Sequence, residues 1–202
     1  MKLLGLTGGV GMGKSVAAAC LAEWGLPVAD TDELARQLVA PGQPANAEIR
    51  SAFGDPFFDP AGGLRREALA RLVFADEPAR RQLEAILHPR IRDAWQERVA
   101  VWHSEGRAGG VVVIPLLFET QAADAFDATI CVACPAASQR ERLAARGWSP
   151  EASAQRIRAL WPIEEKLVAA DFVVWAEGGV ERTAEQLRCI LRDLGLAPTA
   201  AQ

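Results

Sequence analysis

The sequence predicts an α/β protein: a three-layer sandwich in which helices cover both faces of a central parallel sheet. Three observations point there. Short apolar runs alternate with longer amphipathic stretches along most of the chain, the pattern of strand–helix–strand units. The run GGVVVIPLLFE (109–119) opens with apolar residues at every position, as a strand buried on both faces requires. A glycine-rich turn, LTGGVGMGKS (6–15), lies between an apolar run and an Ala-rich one.

In chain order, KLLGLT (2–7) reads as a buried strand and KSVAAACLAEWG (14–25) as a helix that Gly25 can end. LPVAD (26–30) is a second strand, followed by a helix, DELARQLVAPG, stopped by Pro41 and Gly42. Residues 44–107 form a long, mostly helical section, broken by FGDPFFDPAGG and by Pro78 and Pro89. His88-Pro89 reads as a helix start, with proline in the first turn. Further strands are expected within 109–119 and 126–134, then helices at 136–146, 150–159 and 162–170. A short strand, DFVVWA (171–176), and a helix at 180–194 complete the pattern, and the tail APTAAQ is expected to fray. The organisation expected is one domain over 1–202, with a helical insertion at 44–107 and a lid at 139–170.

The chain has 202 residues, half of them hydrophobic, enough for one sizeable core with a small appended part. A net charge of -4 argues against a general nucleic-acid binder, which needs clustered Lys and Arg. No apolar run reaches the length of a membrane span, and the N-terminus lacks the features of a signal peptide. Cys20, Cys131, Cys134 and Cys189 lie mostly in apolar segments and read as reduced thiols of a cytoplasmic protein. Cys131 and Cys134 form a lone C-x-x-C; with His88 and His103 far off in sequence, a buried strand end is the simpler reading than zinc. No protein partner is evident.

Residues Gly8 to Ser15 match G-x-x-x-x-G-K-[ST] in full, with a strand before and a helix after. Such a loop holds a nucleoside triphosphate with Mg²⁺. Its glycines let backbone N–H groups close around phosphate, and the helix start adds its positive dipole end. The nucleotide contacts expected are Gly8, Gly9, Gly11, Met12, Gly13, Lys14, Ser15 and Val16. Lys14 would reach the β- and γ-phosphates, and the Ser15 hydroxyl would take a place on Mg²⁺. No N-K-x-D motif marks a GTPase, and VVVIPLL carries no terminal Asp of a Walker B strand. Those absences and the small size favour a small-molecule kinase over a GTPase or a transporter ATPase.

VADTDELAR (28–36) ends the second strand with Asp30 and Asp32, two residues apart and on one side if the chain is extended. At the carboxyl end of a parallel strand they would face the ligand crevice. A kinase needs such a carboxylate to orient the attacking hydroxyl and take its proton; the alternative is that Thr31 or Asp32 caps the next helix.

GLTGGVGMGKS, DTDELARQLVAPG, LHPRI (87–91), VIPLLFE (113–119), QRERLAARG (139–147) and PIEEKLVAADFVV (162–174) occur in an order and at spacings that resemble the dephospho-coenzyme A kinase family. The likeness runs from Lys2 to about Val174. It implies a P-loop kinase fold with an acceptor-binding insertion and a lid. It also implies transfer of the γ-phosphate of ATP to the 3′-hydroxyl of dephospho-coenzyme A, giving coenzyme A and ADP. By that resemblance Asp32 is the catalytic base, with Asp30 beside it, and His88, Leu116, Phe118 and Glu119 lie near the acceptor. Glu119 could instead hold Mg²⁺ through water. Arg142 and Arg146, four apart on one helix face, are the lid arginines it singles out; Lys166 reads more simply as a surface lysine. Two positions depart from the family pattern: Leu160 stands where a Gln is usual, and Ala176 where an amide is usual at the nucleotide end. The rival readings are another small P-loop kinase, a nucleotide-binding regulator, and an inactive family member.

Overall fold

In the computed structural model, which describes residues 1–196, strand β1 (Lys2–Gly8) is buried at every position after Lys2. The expected fraying of APTAAQ concerns 197–202, outside the described residues. β3 (Gly109–Val113) and β4 (Ala128–Ala133) are buried throughout, as their unbroken apolar character demands. With the short β2 (Val28–Asp30) and β5 (Phe172–Trp175) they form one parallel sheet in the order β2-β3-β1-β4-β5. The fold class is the one the sequence predicts.

One face of the sheet is covered by α1 (Lys14–Glu23) and α9 (Val180–Asp193). Leu4 and Leu6 of β1 pack there with Val111, Ile130 and Val132, against Leu21 of α1 and Leu187 and Leu191 of α9. On the other face, alternate residues point away from that core. Trp102 lies over Gly110, where an added Cβ would come within 2.5 Å of the indole. Leu117 and Phe126 close over Gly5. Met12, Ala133 and Cys134 pack with Ile163 and Leu167 of α8 (Ile163–Ala169). Asp171 ties the start of β5 to β4: its Oδ2 accepts from the Thr129 amide at 2.8 Å and the Thr129 hydroxyl at 2.7 Å. Between β4 and α8 run α6 (Ala136–Ala145) and α7 (Pro150–Arg158), the latter capped by Ser149, whose hydroxyl accepts from the Ala152 amide.

The chain divides into two compact units, Met1–Asp30 with the stretch from Val99 onward, and Thr31–Arg98. The second contains α2 (Thr31–Leu38), α3 (Pro44–Phe53), α4 (Arg66–Ala75) and α5 (Glu77–Ser104) as far as Arg98. It has its own core of Val39, Ile49, Phe58 and Leu69, with Leu83, Ile86 and Leu87 of α5 packed against it.

α5 corrects the sequence reading. Pro78 does stand at a helix start, but Pro89 lies inside the helix, so His88-Pro89 is neither a break nor a beginning. Proline at 89 withholds an N–H from the Ala85 carbonyl. The helix continues because Leu83, Ile86 and Leu87 on one side of it, half-buried, pack against the unit's core, and that packing outweighs the local penalty. The Arg90 guanidinium also donates to the Ile86 carbonyl at 2.6 Å, beside the proline.

Because Pro89 is exposed in mid-helix, Pro89→Ala should raise stability by about 1 to 3 kcal/mol, restoring one helix hydrogen bond. Urea denaturation of the two proteins checks this, and an unchanged or lower midpoint would show that the helix needs its proline.

Candidate active site

The site is built around the end of β1. Gly8 has φ +143, and a Cβ there would lie 2.1 Å from the Val132 carbonyl oxygen of β4. Only glycine lets the chain leave the sheet at this point. Five residues later Gly13, at φ +102, begins α1 and brings no side chain to cap it. The start of α1 is therefore left without a side-chain cap, the arrangement a helix N-terminus offers to an anion. The Lys14 ammonium bends back to donate to the carbonyls of Gly8 at 2.9 Å and Gly9 at 2.8 Å, spanning the loop. Ser15 and Val16 follow on the exposed side.

Met12 has a different part from its neighbours: its side chain is buried in the core with Ala133 and Cys134 and anchors the loop from beneath. The loop is held from above by α6. Gln139 is buried and donates from Nε2 to the Val10 carbonyl at 2.7 Å, and an added Cβ at Gly11 would come within 2.9 Å of Leu143. Sequence reasoning missed Gln139. The signal was present, a Gln on the apolar side of an otherwise arginine-rich helix, but nothing marked it as the partner of a loop carbonyl far back in the chain.

The arginines divide. Arg142 is half-buried and donates from Nη2 to the Ala176 carbonyl at 2.6 Å, within reach of Gly13. Arg146 ends α6 and is exposed. Arg156 of α7 lies over the Trp148 ring, 4.0 Å from its centroid. Ala176 is buried against the loop: its N–H donates to the Ala133 carbonyl at 2.7 Å, and its methyl would touch any side chain placed at Gly13.

At the acidic pair the structure corrects the sequence reading. Asp30 is the last residue of β2, but Thr31 already begins α2, so Asp32 lies in the first helical turn and the two are not on one extended segment. The helix starts this early because Thr31 and Leu34 bury on its inner side. Asp32 is exposed, where the helix start favours its negative charge. His88 is half-buried in the middle of α5. Leu116 is half-buried and Leu117 and Phe118 buried in the turn that follows β3.

Lys166 is the second correction. It is no surface lysine: its side chain is fully buried, and its ammonium donates to the Pro115 carbonyl at 2.6 Å and pairs with Glu119 Oε1 at 2.7 Å. The same Glu119 oxygen accepts the Trp161 amide at 2.9 Å. Its other oxygen, Oε2, is buried with no hydrogen-bond partner among the described residues. Glu119 is thus committed to holding Lys166 and Trp161. Cys131 and Cys134 are buried free thiols, and Cys189 is exposed. Burial pushes the Cys131 thiol up to about 11, against the opposing pull of Lys166 and Lys14.

A parallel sheet in this order, with a glycine-rich loop joining its central strand to a helix and a lysine folded across that loop, defines a P-loop kinase. The family model described as dephospho-CoA kinase matches residues 2–182, and the chain belongs to that family of ATP-dependent kinases. It is 44% identical over 195 residues to the dephospho-CoA kinase of Anaeromyxobacter dehalogenans, covering 96% of this chain and 92% of that one. A crystal structure of a protein from Thermus thermophilus superposes with a TM-score of 0.83 at 35% identity, over 96% of this chain and 97% of the other. The dephospho-CoA kinase of Campylobacter jejuni shares the fold, with a TM-score of 0.64 at 21% identity over 96% and 97% of the two chains. The family's reaction moves the γ-phosphate of ATP to the 3′-hydroxyl of dephospho-coenzyme A, the last step of coenzyme A synthesis.

The raised Cys131 thiol gives a stability term with a definite sign. The folded state keeps its proton where the unfolded chain has lost it, so this contribution is full below about pH 9 and is lost as pH rises toward 11. Cys131→Ala should therefore show a shallower loss of stability between pH 9 and 11 than the parent, read from urea midpoints; parallel slopes would show that the thiol is not desolvated.

Proposed function

We propose that this chain performs the family's transfer with Lys14, Asp32 and the arginines of α6 as its working groups. The observation that carries the reading is the loop itself. Lys14 already spans it, its glycines allow a close backbone approach, and the uncapped start of α1 opens beside it. Among the described residues no three His, Cys, Asp or Glu side chains gather to hold a metal alone. The donor offered is the Ser15 hydroxyl, which suits Mg²⁺, an ion that takes most of its shell from phosphates and water. When bound, Mg²⁺ supplies charge neutralisation between the β- and γ-phosphates.

The chain's own part is mainly positioning and electrostatics. The loop N–H groups and Lys14 hold the triphosphate so that its terminal group points away from α1. Asp32, exposed in the first turn of α2, accepts the hydrogen bond of the acceptor hydroxyl and takes its proton as the bond to phosphorus forms. Arg142, fixed by the Ala176 carbonyl next to Gly13, holds the nucleotide side, and Arg146, free of such a bond to Ala176, reaches the transferring group. Residues 44–107 supply the acceptor side, with His88 as a contact, and 139–170 act as the lid that excludes water.

ADP release with Mg-ATP, measured with and without dephospho-coenzyme A, tests the assignment. Turnover should depend on the acceptor, and Asp32→Asn should lower kcat by about 10²- to 10⁴-fold with nucleotide binding retained. Acceptor-independent hydrolysis would overturn the transfer reading, and an Asn variant of undiminished rate would remove Asp32 from the mechanism.

A further inference from the structure

The fully buried Lys166 is not among the working groups proposed above, yet burying an ammonium without good partners is costly. Its partners form one continuous chain of hydrogen bonds. The Pro115 carbonyl accepts from Lys166 and also from the Thr7 hydroxyl, at 3.3 Å. Thr7 is the residue immediately before Gly8, where β1 gives way to the phosphate loop. At its other end Lys166 pairs with Glu119, and Glu119 accepts the amide of Trp161, in the link between α7 and α8. A single buried ammonium thus joins the strand entering the loop, the turn after β3, and the junction from which the arginine-bearing α7 departs.

We propose that Lys166 is a positioning residue for phosphoryl transfer: through Pro115 and Glu119 it fixes the α7–α8 junction to the strand that carries the phosphate loop. The arrangement has the features such a part needs. Its ammonium is fully buried and Glu119 largely so, while the bond to Trp161 lies nearer the surface. It is made of charge-assisted bonds with short distances, which tolerate little displacement. Among the described residues Glu119 Oε2 has no hydrogen-bond partner, so the carboxylate is held through Oε1, by Lys166 and the Trp161 amide. A side chain needed only to fill volume would be served as well by Met or Leu, without any ion pair.

Replacing one partner leaves a bare buried charge and destabilises the protein, so the informative variant changes both. Lys166→Met with Glu119→Gln removes both charges at nearly constant volume and should fold with little loss of stability. A positioning role predicts that this folded double variant loses about ten- to hundredfold in kcat, while its KM for ATP moves much less. A purely structural role predicts a kcat close to the parent's, and that result would overturn the proposal. The unmodified protein gives a second reading by hydrogen exchange. The Trp161 amide should exchange about tenfold or more slowly than an unprotected amide, both alone and with Mg-ATP. Fast exchange at Trp161 would show that the junction is not anchored, whatever the variants do.

Discussion

The close approach of β1 to β4 at Gly8 is the constraint on which the site depends. No side chain can occupy that position, because the neighbouring carbonyl oxygen already fills the space. The chain must leave the sheet there, and it leaves with its backbone bare. From this follow the loop, the uncapped start of α1 and the return of Lys14 across the carbonyls of Gly8 and Gly9. Met12 below and Gln139 above then hold a segment that has few side chains of its own to hold it. The loop depends on its surroundings to hold it, since a glycine-rich strip by itself is the most flexible kind of backbone.

Much of this was legible in the sequence. Unbroken apolar runs announced strands buried on both faces, and the loop's glycines sit between a strand and a helix as its pattern requires. The failures have identifiable physical causes. Pro89 read as a boundary because local propensity is visible in sequence, whereas the packing of Leu83, Ile86 and Leu87 against the unit's core, which carries the helix past it, is not. Asp30 and Asp32 read as one extended segment because nothing local says that α2 starts at Thr31. Lys166 read as surface because lysine usually is. Its burial is set by Glu119 and Pro115, both distant in the chain, and such pairings leave no periodic trace. Asp171 is similar: its bond to Thr129 closes β5 onto β4, and only the pairing of those strands reveals it.

Two kinds of charge therefore serve this protein differently. The exposed pairs, such as Arg36 with Glu33 and Arg81 with Glu77, lie along helices in water and contribute little individually. The Lys166–Glu119 pair is dry, and its energetic return in stability is small once desolvation is counted. Its proposed contribution is geometric, since it links three segments through directional bonds.

The stretch Thr31–Arg98 enters the chain directly after Asp30, and the sheet resumes at Gly109 with Val28 paired to Val111 and Asp30 to Val113. The pairing on either side of this stretch is set by the strands, and the core within it is its own. The intervening helices can therefore vary while β2 keeps its pairing on β3. The strand register and the helical core are thus separate constraints on the sequence, and change in one need not pass to the other.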